Sequence, residues 1–275
     1  MASVELPARA RIERRLDSIV LENRFTIAVV FPAIGALTLL ASAEGLLPDP
    51  LAFNPYFLLF GVAVMRLPLI AGVAPLVDRR AAAGIVLLCL YTYGIEFVGV
   101  LTGFPYGHFE YGVNLGPMLA ASVPAALPLF FLPLVVNAYL LCLLLFGRLI
   151  ERAAVRIPVA VAAVVGMDLI LDPGAVALGF WAYDAGGMYY DVPWSNYAGW
   201  VLSATVSVAV LDRVLDRSGL LDRLDRCRFM LDDLVSFVIL WGGVNLYFGN
   251  WVPAVLAVVY GYGLYKTDRF DFPER

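Results

Sequence analysis

Histidine and lysine are almost missing from this 275-residue chain: His108 is the only histidine, Lys266 the only lysine, and three cysteines are scattered along it. Each scarcity removes a class of chemistry. A membrane di-iron oxygenase holds its metals with several imidazoles, and one histidine cannot build such a site. A retinal-type Schiff base needs a lysine deep in an apolar segment, whereas Lys266 follows the last apolar run. Cys89 and Cys142 lie in apolar runs and Cys227 in a charged loop, without zinc-site spacing or an even set for disulfides. No G-x-G-x-x-G or G-x-x-x-x-G-K pattern occurs, so nothing supports a nucleotide cofactor. The expectation is chemistry by carboxylates, aromatic rings and water, with no metal, no cofactor and no nucleic-acid partner.

Charge is sparse too. Charged residues make up 15% and hydrophobic ones 61%, with a mean hydropathy of +0.83, against roughly 25% and 45–50% in soluble domains. The chain therefore reads as an all-α, polytopic membrane helix bundle. A helix needs about 20 apolar residues to cross the hydrocarbon. Eight runs are read as spans: Phe25 to Ala43, Leu51 to Val77, Ala81 to Gly103, Met118 to Phe146, Ala153 to Leu171, Trp194 to Leu211, Leu231 to Phe248 and Trp251 to Tyr265. If the last two form one long helix, the count is seven. Pro124, Pro128 and Pro133 predict a kink or a partly re-entrant start in the fourth run.

The first 24 residues interleave arginines with acids and are not a signal peptide; Ile12, Leu16, Ile19 and Val20 share one helical face, as in an interfacial helix. With eight spans, every Lys and Arg except Arg66 falls in alternate loops, which places both termini in the cytoplasm. The expected division is 1–24 amphipathic N-terminus, 25–265 bundle and 266–275 tail. Between Asp212 and Asp233, repeated Asp-Arg pairs read as a solvated, salt-bridged helical connection.

Polar residues sort to the opposite end. The loops from Phe104 to Pro117 and from Asp172 to Pro193, with the start of the sixth run, carry twelve aromatic residues and neither Lys nor Arg. They can form an interfacial belt, line a pocket, or do both. Ionisable groups inside apolar runs are the sharper signal, since each is costly in hydrocarbon. Glu96 lies seven residues before the end of the third run, about 10 Å deep at the helical rise. Asp168 and Asp172, four residues apart, share one helical face. Arg66, nearer the midplane, reads as a structural intramembrane charge, and Asn137 and Asn245 as interhelical hydrogen-bonding groups.

Taken in order, Glu96, TGFPYGHFEYG from Thr102, LGP from Leu115, Asp168, Asp172-Pro173, Trp181 and GMYYDVPWSNYAGW from Gly187 resemble the membrane-integral carotenoid hydratases of archaea and photosynthetic bacteria. The resemblance covers about residues 90 to 200; beyond them only hydropathy agrees. Asp191 stands where that family usually has a small residue, often glycine. The resemblance implies a multi-pass cell-membrane enzyme of carotenoid biosynthesis. Its partners would be a lipophilic C50 polyene, water and the bilayer, and its reaction the hydration of terminal isoprene double bonds to tertiary alcohols.

The resemblance assigns no catalytic residues, so these are argued from chemistry. Hydrating a trisubstituted alkene needs a carboxylic acid that stays protonated, as apolar burial favours, then a brief tertiary cation, then a placed water. Glu96 and Asp168 are candidates for a proton-sharing acid pair. Asp172, His108 and Tyr189 are candidates for the water side. Tyr106, Phe109, Trp181, Tyr190 and Trp194 are candidates to stabilise the cation through their ring faces. Competing readings are a membrane lycopene cyclase, which quenches the same cation internally, and a non-enzymatic proton-coupled transporter or carotenoid-binding scaffold. The spacing Asp168-x-x-x-Asp172 also invites a prenyltransferase, but that side of the protein lacks basic residues for a diphosphate. Association with a carotenoid elongase or desaturase is left open.

Overall fold

The computed structural model describes residues 7–270 and is mostly helical, with ten α-helices among them. Helix α1 (Ala8–Glu22) keeps the polar N-terminal segment on the surface and buries Val20. A wide turn at Thr26–Val30 leads into α2 (Phe31–Ala43). Asn54 then caps α3 (Pro55–Val73) by accepting the amides of Tyr56 and Phe57 at 3.0 and 3.2 Å. That cap explains why the run beginning at Leu51 becomes helical only at Pro55. Asp78 caps α4 (Arg79–Thr102) through the Ala81 amide at 2.7 Å, and Gly103, at φ +74°, closes it. There follow α5 (Leu127–Phe146), α6 (Ala153–Ala177), α7 (Trp194–Val214), α8 (Arg217–Arg226), α9 (Asp232–Tyr247) and α10 (Trp251–Lys266).

Six segments are long and apolar enough to cross a bilayer: Thr26–Ala43, Pro55–Leu76, Arg79–Thr102, Leu127–Ile150, Ala153–Ala177 and Arg228–Tyr247. A seventh is the pair α7 and α8, bent by 91° at its break. Helix α7 falls short alone because it carries Ser195, Asn196, Ser203, Thr205 and Ser207. Helix α10 has 16 residues, about 24 Å at the helical rise, against roughly 30 Å of hydrocarbon. It is not a continuation of α9. A β-carbon on Gly242 would lie 3.1 Å from Ala257, and one on Gly261 would lie 3.6 Å from Val238. Residue numbers fall on one helix as they rise on the other, so the two pack antiparallel.

Two further expected boundaries move, and one expected surface is partly buried. Met118–Leu119 (β2) pairs with Val123–Pro124 (β3), so the fourth run opens as a small hairpin and its helix starts at Leu127. Helix α6 continues through Asp172-Pro173 to Ala177, beyond the expected end at Leu171. The Asp-Arg connection is not uniformly solvated. Leu220 and Leu224 of α8 are buried, and three of the acids at its ends lie in ion pairs with little solvent access. Asp232 receives two hydrogen bonds from Arg24, at 2.6 and 2.8 Å. Asp212 pairs with Arg156 and takes the Tyr139 hydroxyl at 2.7 Å. Asp233 pairs with Arg66 and accepts from Asn137 at 2.6 Å.

Arg66 therefore meets Asp233 rather than Glu96 or Asp168. Its Nε also donates to the Leu129 carbonyl at 3.1 Å. Pro133, four residues on, has no N–H for that carbonyl, so the guanidinium replaces the missing helical bond. Pro173 frees Leu169 in the same way, and the Tyr189 hydroxyl donates to that carbonyl at 3.2 Å.

Candidate functional site

A cavity of about 430 Å³ lies between α2, α3, α4, α5, α6, α7 and α9, and its lining includes the carboxylates of Glu96 and Asp172 and the Asn196 amide beside the aromatic loops. Helix α4 supplies Glu96. Helix α6 supplies Asp172 to the lining, with Asp168 one turn behind it and fully buried. Helix α7 supplies Asn196 at its first turn, whose Nδ2 donates to Oδ2 of Asp168 at 3.0 Å and to Oδ2 of Asp172. One amide thus uses both of its hydrogens to hold two carboxylates that the i, i+4 spacing had put on one face.

A two-stranded antiparallel ribbon covers this end. Strands β1 (Phe109–Tyr111) and β4 (Trp181–Tyr183) pair with Phe109 opposite Tyr183 and Tyr111 opposite Trp181. Side chains alternate along a strand, so these four rings share one face, and all four line the cavity. Glu110 and Ala182 alternate to the other, exposed face. The Phe109 ring sits 5.5 Å from Tyr111 and 5.9 Å from Tyr183, centroid to centroid. The close return of the chain requires Gly112, since a β-carbon there would meet the Gly179 carbonyl oxygen at 2.4 Å.

The ribbon also delivers two hydroxyls. Tyr111 donates to Oε1 of Glu96, and Tyr183 donates to Oδ2 of Asp172 at 3.0 Å. Burial, and then the Glu96 charge beside it, pushes the Tyr111 hydroxyl well above the usual phenol range. Burial followed by the Asp172 charge does the same to Tyr183. Both tyrosines therefore remain neutral donors. Both hydrogen bonds given to Asp172 end on Oδ2, which leaves Oδ1 for a molecule in the cavity. Arg66 also lines the cavity, but Asp233 and the Leu129 carbonyl hold its guanidinium.

Of the residues expected from sequence, Glu96, Asp172, Tyr106, Phe109 and Trp181 come together in the lining. Tyr106 is fixed by a 2.6 Å hydrogen bond between its hydroxyl and that of Ser203. Asp168 stands outside the lining, joined to it through Asn196, so the carboxylate that shares the cavity with Glu96 is Asp172. His108 is exposed and lies against Gly103, away from the cavity.

Tyr189, Tyr190 and Trp194 are not brought to the cavity either. They form a separate cluster with Tyr197, with centroids 4.9 to 6.3 Å apart. The tight turn Tyr189–Val192 that starts this cluster puts Tyr190 and Asp191 at φ +52° and +63°. Aspartate tolerates this left-handed conformation and glycine suits it better.

Sequence reading missed Asn196, Tyr111 and Tyr183. Asn196 carried no charge to mark it. The tyrosines stood among twelve loop aromatics, and only the β1–β4 pairing distinguishes them. Among the described residues, no group of three or more His, Cys, Asp or Glu is placed to hold a metal ion.

Residues 53–264 match the family described as "Carotenoid biosynthesis protein". The chain is 64% identical over 258 residues to the bisanhydrobacterioruberin hydratase of Haloarcula japonica, an alignment that covers 94% of this chain and 88% of that protein. No solved structure matches it. A profile match over most of the chain and this close relative together establish that the protein is a member of the carotenoid biosynthesis protein family.

Proposed function

We propose that this protein is a carotenoid hydratase that adds water across the terminal isoprene double bonds of a C50 carotenoid, taking bisanhydrobacterioruberin to bacterioruberin, without a cofactor. The observation that carries the reading is that two carboxylates, Glu96 and Asp172, line one largely apolar and aromatic cavity, in which Arg66 is held by Asp233. The family membership and the Haloarcula japonica relative support the same activity.

The chemistry follows from the hydrogen bonds. Asp172 receives two donors, from Asn196 and Tyr183, which favour its carboxylate form, whereas Glu96 receives one, from Tyr111. Glu96 is assigned as the acid. Its proton goes to the less substituted alkene carbon, the π pair forms the new C–H bond, and a tertiary cation remains. Tyr106, Phe109 and Trp181 offer ring faces that stabilise a cation without trapping it. A water oxygen then bonds to the cation and its surplus proton passes to Asp172. Return of that proton to Glu96 completes the net addition of one water. Asp168 holds Asn196 and through it orients Asp172.

On this reading the protein sits in the cell membrane with eight crossings, counting the short α10, and with both termini cytoplasmic. The alternation of basic loops supports that orientation, as it does a division into residues 1–24, 25–265 and 266–275. The deciding experiment supplies the C50 polyene to purified protein in isotopically labelled water. Label from water in the new hydroxyl, with a mass gain of one water per reacted end, is the expected result. A product of unchanged mass would mean cyclisation, and no turnover without an ion gradient would point to a transporter.

A further inference from the structure

Exposed apolar residues of α2 and α3 line the cavity. Ile34 on α2 and Phe57 and Phe60 on α3 line the cavity, yet they are 57%, 58% and 61% exposed. Helix α2 packs mainly on α9 rather than on α3. Across the gap the two helices meet through rings, Phe31 and Phe60, whose centroids are 6.2 Å apart. Nothing fills the space beside Gly61, which also lines the cavity.

Volume adds a constraint. A 150 Å³ protein cavity accommodates benzene, roughly 25 Å³ per carbon. On that scale about 430 Å³ takes only the end of a 50-carbon chain, and the rest must lie outside.

We infer that the gap between α2 and α3 is a lateral portal through which a long polyene passes from the bilayer, its reacting end at Glu96 and Asp172 and its remaining length seated against Ile34, Phe57, Phe60 and Gly61. This rests on the hydratase reading and adds to it the route and seat of the chain. The lining chemistry agrees: Ile34, Phe57, Phe60 and Gly61 on α2 and α3 are apolar, while the two carboxylates of the same cavity come from α4 and α6. A rod-shaped polyene lying in the membrane needs no passage through water. Reaction at its second end requires withdrawal through the portal and rebinding end for end.

The test narrows the portal from either lip with Gly61→Trp or Ile34→Trp, and uses Val258→Trp, on the 70% exposed surface of α10, as the control. Each purified full-length protein is given two substrates: the C50 polyene and a short acyclic alkene of about ten carbons with the same terminal double bond, small enough for the cavity alone. The ratio of C50 to short-alkene hydration is expected to fall at least tenfold in both portal variants and to stay unchanged in Val258→Trp. In a Glu96→Gln background, the shift of the polyene's visible absorption band on binding should require at least tenfold more polyene once Gly61→Trp is added. An unchanged ratio in both portal variants, or an equal loss on both substrates, would overturn the portal. An unchanged ratio with co-purified lipid displaced would assign the gap to a bound lipid and overturn it too. Wild-type protein that binds the polyene through the portal but hydrates neither substrate would instead strike the hydratase reading.

Discussion

Glu96→Gln separates the acid from the fold. Glutamine has the shape of glutamic acid and keeps an Oε1 that can accept the Tyr111 hydroxyl, the one hydrogen bond Glu96 makes to another side chain. The accessible part of Glu96 faces the cavity, so the new amide group is not forced into a packed apolar contact. The change in stability should stay within about 1 kcal/mol, the net worth of one hydrogen bond. What glutamine cannot do is give up a proton. General acid catalysis is worth about 10²- to 10⁴-fold, which at 1.36 kcal/mol per decade is ~2.7 to 5.4 kcal/mol of transition-state stabilisation. The assay follows hydrated polyene by chromatography and mass, alongside thermal unfolding of the same detergent-purified sample. The expected pattern is a loss of at least 100-fold in turnover with unfolding close to wild type. A variant retaining more than a tenth of wild-type turnover would refute Glu96 as the proton donor.

Other consequences can be measured in parallel. Asn196→Leu removes the amide that joins Asp168 to Asp172. Hydrogen bonds to charged groups contribute about 1.5–3 kcal/mol each, so turnover should fall at least tenfold, and wild-type rates would exclude the positioning role. Arg66→Met strands the buried Asp233 carboxylate and should cost about 3–5 kcal/mol, most of which returns when Asp233→Leu is added; thermal unfolding of the single and double variants checks this, and equal losses would count against the pairing. In Gly199→Ala the new β-carbon would lie 2.5 Å from Cδ1 of Tyr106, an overpacking of about 1–3 kcal/mol that should lower the unfolding temperature. Tyr183→Phe removes a donor from Asp172 but no packing volume, so turnover should drop about 10- to 100-fold, for a hydrogen bond to a charged group worth ~1.5–3 kcal/mol, and wild-type turnover would exclude the role.

Much of the site was legible because the membrane makes polar residues conspicuous. Glu96, Asp168 and Asp172 stand out as carboxylates within or beside apolar runs, and the i, i+4 interval alone puts the two aspartates on one helical face. Asp232, Asp233 and Asp212 were misread for the converse reason. They lie among arginines in a charged stretch, and charge patterning along a sequence does not reveal which carboxylates a neighbouring helix will bury against Arg24, Arg66 and Arg156. The helix start at Leu127 was hidden too, because hydropathy measures apolar length and does not tell a short hairpin from a helix.

The sequence by itself determined that this chain builds helices long and apolar enough to span a membrane, that its basic residues crowd between alternate apolar runs, and that Glu96, Asp168 and Asp172 lie within or beside apolar runs next to aromatic-rich loops free of Lys and Arg. Those properties follow from the cost of placing each residue type in hydrocarbon, which a residue carries wherever it sits. Only the tertiary structure decided which groups meet. It paired two short strands some seventy residues apart, so that Tyr111 and Tyr183 reach Glu96 and Asp172. It put Asn196 between two carboxylates, and it left His108 outside while drawing Arg66 to Asp233. Such contacts depend on register and on which helix faces pack together, and the chain fixes these only when all its elements compete for the same buried space.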